Sequence, residues 1–135
     1  MVYPLRPVWT GPTQLTEGVV VVTSAARWDA MRATWPDAVR DKVGAPAVAW
    51  DREAAVVVVG PQTNDVITTL AVGKLGRSAD RVVLDVVFQG QAVDIYMPNH
   101  PTLIAITPAA AFADPAELRL TWNGQAWSGP ARVDR

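Results

Sequence analysis

The stretch Arg81-Val82-Val83-Leu84-Asp85-Val86-Val87-Phe88-Gln89-Gly90-Gln91-Ala92-Val93-Asp94-Ile95-Tyr96-Met97-Pro98, read with the earlier run Ala54-Ala55-Val56-Val57-Val58-Val59-Gly60, decides the fold class. Apolar and polar residues alternating with period two describe strands with one covered face. An unbroken valine run describes a strand covered on both. A two-residue type II′ loop wants glycine at its first central position, so Gly90-Gln91 predicts a hairpin. In that register Phe88 lies opposite Val93, Val86 opposite Ile95 and Leu84 opposite Met97. All six then share one face, which a one-residue slip would scatter.

Outward from this centre, residues 18–23 and 101–107 read as further buried strands, and residues 66–75 as one with weaker alternation. Near the C-terminus, Asn123-Gly124 supplies the two positive φ angles of a type I′ turn. It sets Leu120 opposite Trp127 and Trp122 opposite Gln125. Residues 109–116 read as a connection with one short turn. Between the first two strands the period changes: Trp28, Met31 and Trp35 fall on one helical face, and Ser24 is placed to cap it. Pro36 cannot donate to the helical ladder, so the helix stops or kinks near Thr34, and Pro36 can open a second helix as its first residue before Gly44 terminates it. Together these segments predict an α+β domain. Its core is a mainly antiparallel sheet or two-layer sandwich, with one kinked helical segment over residues 25–43 packed on it. Residues 1–17, with three prolines and Trp9, read as an extended arm, and residues 18–135 as a single globular domain.

With 135 residues the chain is one domain by length, and half its residues are hydrophobic, which excludes disorder. A net charge of −1, with the basic residues scattered, gives no clustered positive face for nucleic acid. The absence of cysteine removes disulfides and thiolate chemistry while leaving the compartment open. Nothing approaches the roughly 18 apolar residues of a membrane span. The N-terminal residues lack a signal-peptide pattern, so the chain as written reads as cytoplasmic, or as an envelope or secreted protein whose export signal has been removed.

Few residues offer chemistry. On the other face of the predicted hairpin, Asp85 lies opposite Tyr96 with Asp94 on the diagonal. Two carboxylates at about 7–8 Å beside a phenol suit an inverting glycosidase or a carbohydrate site. A solvated hairpin face is the simpler account of the same pattern. His100 is the only histidine, and no serine stands in a nucleophile elbow. Thr63-Asn64-Asp65 forms a polar loop tip at the end of the valine strand, a common place for binding residues. Among the six tryptophans, Trp9 and one of Trp122 and Trp127 are expected at the surface, where tryptophan anchors partners. No metal set or phosphate loop is present, and no cofactor is expected.

Several of these pieces resemble the PrcB-like family, small bacterial domains named for an accessory subunit of a surface protease complex. They are Trp28 after a strand, Pro46-Ala47-Val48-Ala49-Trp50-Asp51-Arg52-Glu53, the valine strand with its terminal glycine, and His100-Pro101-Thr102-Leu103-Ile104-Ala105-Ile106. The chain departs from the family at two points. Thr63-Asn64-Asp65-Val66 stands where the family has Gly-Gly-Tyr, and the aspartate-aromatic order is reversed in Trp50-Asp51. The resemblance implies a β-rich accessory module acting through protein contacts, commonly in the cell envelope, with no catalytic residues to carry over.

The function expected from the sequence is therefore a non-catalytic protein-binding or accessory module. Its candidate contacts are Trp9, Asn64, Asp65, Asp85, Asp94, Tyr96, His100, Trp122 and Trp127. The alternative is a small-ligand or carbohydrate domain using the Asp85/Asp94/Tyr96 face. A homodimer through a sheet edge is a further possibility, because few charges guard residues 101–107.

Overall fold

The computed structural model describes residues 1–113 and 116–135. Residues 114 and 115, part of the predicted 109–116 connection, lie outside the described residues. The described residues are mostly β, in two mixed five-stranded sheets, with two short α-helices and one 3-10 turn at Ala109–Phe112. The first sheet runs β1 (Val2–Tyr3), β5 (Val66–Arg77), β6 (Arg81–Gln91), β8 (Glu117–Trp122) and β9 (Gln125–Trp127). The second runs β10 (Ala131–Asp134), β3 (Gly18–Val22), β4 (Glu53–Val59), β7 (His100–Pro108) and β2 (Arg6–Thr13). Each sheet holds one parallel pair, β6 with β8 and β10 with β3, and is otherwise antiparallel.

The valine strand lies where its composition requires. β4 sits between β3 and β7 and is apolar on both faces. Ala54, Val56 and Val58 join Val19, Val21 and Leu103 in a cluster with Leu75, Val82, Leu84, Val86 and Leu120 of the first sheet. Ala55, Val57 and Val59 face the other way, onto Trp28 and Trp35. That opposite face is covered by α1 (Ala25–Arg32) and α2 (Asp37–Val43). The rings of Trp28 and Trp35 meet edge-to-face at 5.9 Å, and Trp50 leans on Trp28 at 6.3 Å.

The expected single kinked segment is two separate helices. Ser24 caps α1 by accepting from the Arg27 amide at 3.2 Å. Pro36 takes ψ 147°, an extended value that breaks the run, and its carbonyl accepts the first bonds of α2 from Val39 and Arg40. Pro36 is thus the N-cap rather than the first helical residue. Gly44, at φ 69°, ends α2. No described helix is long and apolar enough to cross a membrane.

The C-terminal hairpin has the predicted register, with Leu120 opposite Trp127 and Trp122 opposite Gln125. Asn123 and Gly124 have φ of 52° and 80°. The Gly90-Gln91 hairpin does not form. β6 runs through both residues and pairs with β5 instead, Leu70 opposite Phe88, Val72 opposite Val86 and Leu75 opposite Leu84, returning through the turn at residues 78–80. On its other side β6 pairs with β8 over Arg81–Val86, so Leu84 and Val86 have a strand on both sides and neither pairs with residues 92–98. Gly90 marks a close approach rather than a turn: a Cβ there would stand 2.6 Å from Cβ of Asp65.

Two other expectations change with this topology. Residues 101–107 are not an exposed edge, because β7 is hydrogen-bonded to β4 on one side and β2 on the other. The N-terminal segment is extended but woven in, β1 pairing with β5 and β2 with β7.

Candidate functional site

The loop after β6 is held by the loop after β4. Thr63 and Asn99 exchange backbone bonds, each N–H donating to the other's carbonyl at 2.8 Å, as an isolated antiparallel bridge. Next to them the Asn64 carboxamide acts as a substitute backbone. Its Nδ2 donates to the Ile95 carbonyl at 2.8 Å, and its Oδ1 accepts from the Met97 amide. Asn99 Nδ2 adds a bond to the Asp65 carbonyl at 3.2 Å. One side chain therefore holds the backbone on both sides of Tyr96.

That bracing presents the most exposed apolar side chains outside the N-terminus. Ile95 is 65% exposed, Tyr96 83% and Met97 61%. Apolar residues held on an ordered loop in water are uncommon for a chain with no partner. Met97 also lines a groove of about 810 Å³ between the outer part of β2, α2 and the start of β5. Its walls include Trp9, Pro12, Val39, Ile67, Met97 and Pro98. Lys42 and Asp65 supply a charge of each sign along the lining.

The candidates from the sequence divide accordingly. Trp9, Asn64 and Asp65 meet in this groove, and Tyr96 is exposed on the loop that contributes Met97 to its wall. Asp94 is exposed on the same loop. Asp85 is not with them. It sits in β6 opposite Lys74 and Thr121, and its Oδ1 accepts from the Thr121 hydroxyl at 2.6 Å. The Asp85/Asp94/Tyr96 face therefore does not exist, because it depended on the hairpin that β5 displaces.

His100 opens β7, and its Nδ1 hydrogen-bonds the Gly60 carbonyl at 2.8 Å. A carbonyl only accepts, so that nitrogen carries the proton. The bond ties the end of β4 to the start of β7, beside a backbone bond from Gly60 N–H to the Pro101 carbonyl at 2.8 Å. Neither C-terminal tryptophan stands free at the surface. Trp122 stacks on Phe88 at 5.5 Å and lies against Gly60. Trp127 donates from Nε1 to Glu17 at 2.8 Å. Both are half-buried and pack on the cluster between the sheets.

Sequence reasoning missed Val39, Lys42, Met97 and Pro98 as groove residues. Their walls come from elements far apart in the chain, and no local pattern announces such a meeting. In comparisons with protein-family models, characterised proteins and solved structures, nothing matches this chain.

Proposed function

We propose that this chain is a non-catalytic binding module whose partner protein lays an apolar segment into the groove beside α2 and covers the exposed loop at residues 95–97, of which Met97 lines the groove. The observation that carries the reading is the Asn64 brace. A polar side chain makes two backbone bonds to hold three apolar residues out in solvent, which costs stability unless a partner covers them. Burying each of those side chains is worth about 1.5–3 kcal/mol, enough to offset part of the rotational and ordering cost of association. Trp9 on the groove wall supplies the large rigid anchor that such interfaces favour.

A binding rather than a catalytic role is supported by where the candidate reactive groups lie: neither Asp85, bonded to a threonine hydroxyl, nor His100, bonded to a backbone carbonyl, lines the groove. An accessory role through protein contacts is also what the resemblance to PrcB-like domains implies. The test is selection of a phage-displayed library of random 12-residue peptides on the full chain, followed by titration of the selected peptides. Apolar peptides should emerge with dissociation constants on the order of 1–100 µM, weakened about tenfold or more by Val39→Asp or Trp9→Ala. Selection of no peptide whose binding depends on those residues would refute the reading.

A further inference from the structure

β2 is the end strand of the second sheet, paired only with β7. Its consecutive residues from Trp9 to Thr13 all line the groove, with Gln14 just beyond them. Successive side chains of a strand point to opposite faces, so a cavity over one face would touch only alternate residues. The groove therefore runs along the open edge of β2. Trp9 and Val39 pack on the apolar layer that holds Ile104 and faces the helices, whereas Thr10 stands opposite Leu103 of the cluster between the sheets. The edge thus lies between α2 on one side and the start of β5, Val66 and Ile67, on the other.

Two prolines set the direction of the backbone groups on that edge. Pro12 stands opposite Pro101, and neither has an N–H to exchange. The Pro101 carbonyl turns to the end of β4 instead, accepting from the Gly60 N–H at 2.8 Å. Pro12 and Pro101 are therefore a non-hydrogen-bonded pair. Such pairs alternate with hydrogen-bonded ones along an antiparallel ladder, and the register is unbroken from Trp9 to Thr13. Thr10 and Leu103 are then a non-hydrogen-bonded pair as well. The N–H and C=O of Thr10 and the C=O of Pro12 point away from β7 into the groove, where no described strand pairs with them.

We infer that the partner segment binds as an extended strand added to the edge of β2, an inference that rests on the groove being the partner site. Thr10 supplies one donor and one acceptor, and Pro12 supplies a second acceptor. In strand addition such main-chain bonds give affinity, and pockets for alternate side chains give specificity. Trp9 and Val39 on one wall, and Val66 and Ile67 on the other, offer apolar contacts to the two faces of the added strand. The addition is short. β2 shifts register between Pro7 and Trp9, and Pro12 lacks a donor, so regular pairing is confined to Trp9–Thr13, about 17 Å at ~3.3 Å per residue. That length admits one short strand and blocks open-ended pairing.

N-methyl scanning of the selected peptides, one backbone N–H at a time, tests this on the full chain. Two positions, two residues apart, donate to the Thr10 and Pro12 carbonyls, and methylating either should weaken binding at least about tenfold. The N–H between them faces away from β2 and should tolerate the methyl group. Saturating peptide should slow exchange of the Thr10 amide by about tenfold or more. Thr10→Pro removes the donor and should weaken binding, whereas Thr10→Ala keeps it and should not. Circular dichroism confirms that both variants fold. Losses spaced by three or four residues would report a bound helix and overturn the inference. Peptides that tolerate every methyl, or that leave Thr10 exchange unchanged, would overturn it too, with the groove still the partner site. Selection of no peptide that depends on Trp9 or Val39 removes both readings.

Discussion

Asn64→Ala removes the brace without touching the core. The side chain makes two bonds to the far loop, Nδ2 to the Ile95 carbonyl at 2.8 Å and Oδ1 from the Met97 amide. Both are solvent-accessible, so each falls toward the lower part of the usual net range of about 0.5–1.5 kcal/mol, and together they contribute about 1–2 kcal/mol. For a chain of this size that lowers Tm by roughly 3–8 °C. The local signal is sharper than the global one. Asn64 Oδ1 is the only acceptor that the described residues give the Met97 amide. Hydrogen exchange at Met97 should therefore accelerate by about tenfold or more, while amides of β4 and β7 change only with global stability. Asn64→Asp keeps an oxygen for Met97 and loses the donor to Ile95, so it should fall between wild type and alanine. A Met97 amide that exchanges at the wild-type rate in Asn64→Ala would show that the carboxamide does not hold the loop.

Two substitutions probe the packing behind the site. At Gly60 a Cβ would fall within the Trp122 ring, so Gly60→Ala should destabilise by about 1–3 kcal/mol in denaturant unfolding. An unchanged midpoint would mean the ring does not lie there. Trp28→Ala empties the centre of the helix–sheet layer, where the ring is 4% exposed and touches Trp35 and Trp50, and should cost about 3–5 kcal/mol. A loss below about 1 kcal/mol would place Trp28 at the surface instead.

What the sequence could and could not disclose follows from the range of each interaction. The valine run of β4, the Ser24 cap, the break at Pro36 and the Asn123-Gly124 turn are decided within a few residues, and all were legible. The partner of β6 is not decided locally. Residues 66–77 and 92–98 both alternate, and the closer candidate had the better turn residues, so adjacency favoured the wrong strand. Burial settles the competition: Leu75 of β5 is fully buried opposite Leu84, whereas Ile95 and Met97 remain in water. Gly90 looked like a turn glycine because a turn and a close approach both require a missing Cβ, and only the position of Asp65 tells them apart. The site was partly legible for the same reason. Trp9, Asn64 and Asp65 were singled out as loop or terminal residues, but their convergence with Val39 and Met97 depends on how α2 and β2 meet the displaced loop.

The most direct test of this account is the set of cross-strand nuclear Overhauser contacts around Phe88 and Asn99 in solution. Contacts between Leu70 and Phe88, and between Thr63 and Asn99, are the predicted result, with residues 95–97 solvent-exposed. Contacts from Phe88 to Val93 and from Val86 to Ile95 would contradict it, because the local hairpin they report would absorb the exposed loop and remove the groove.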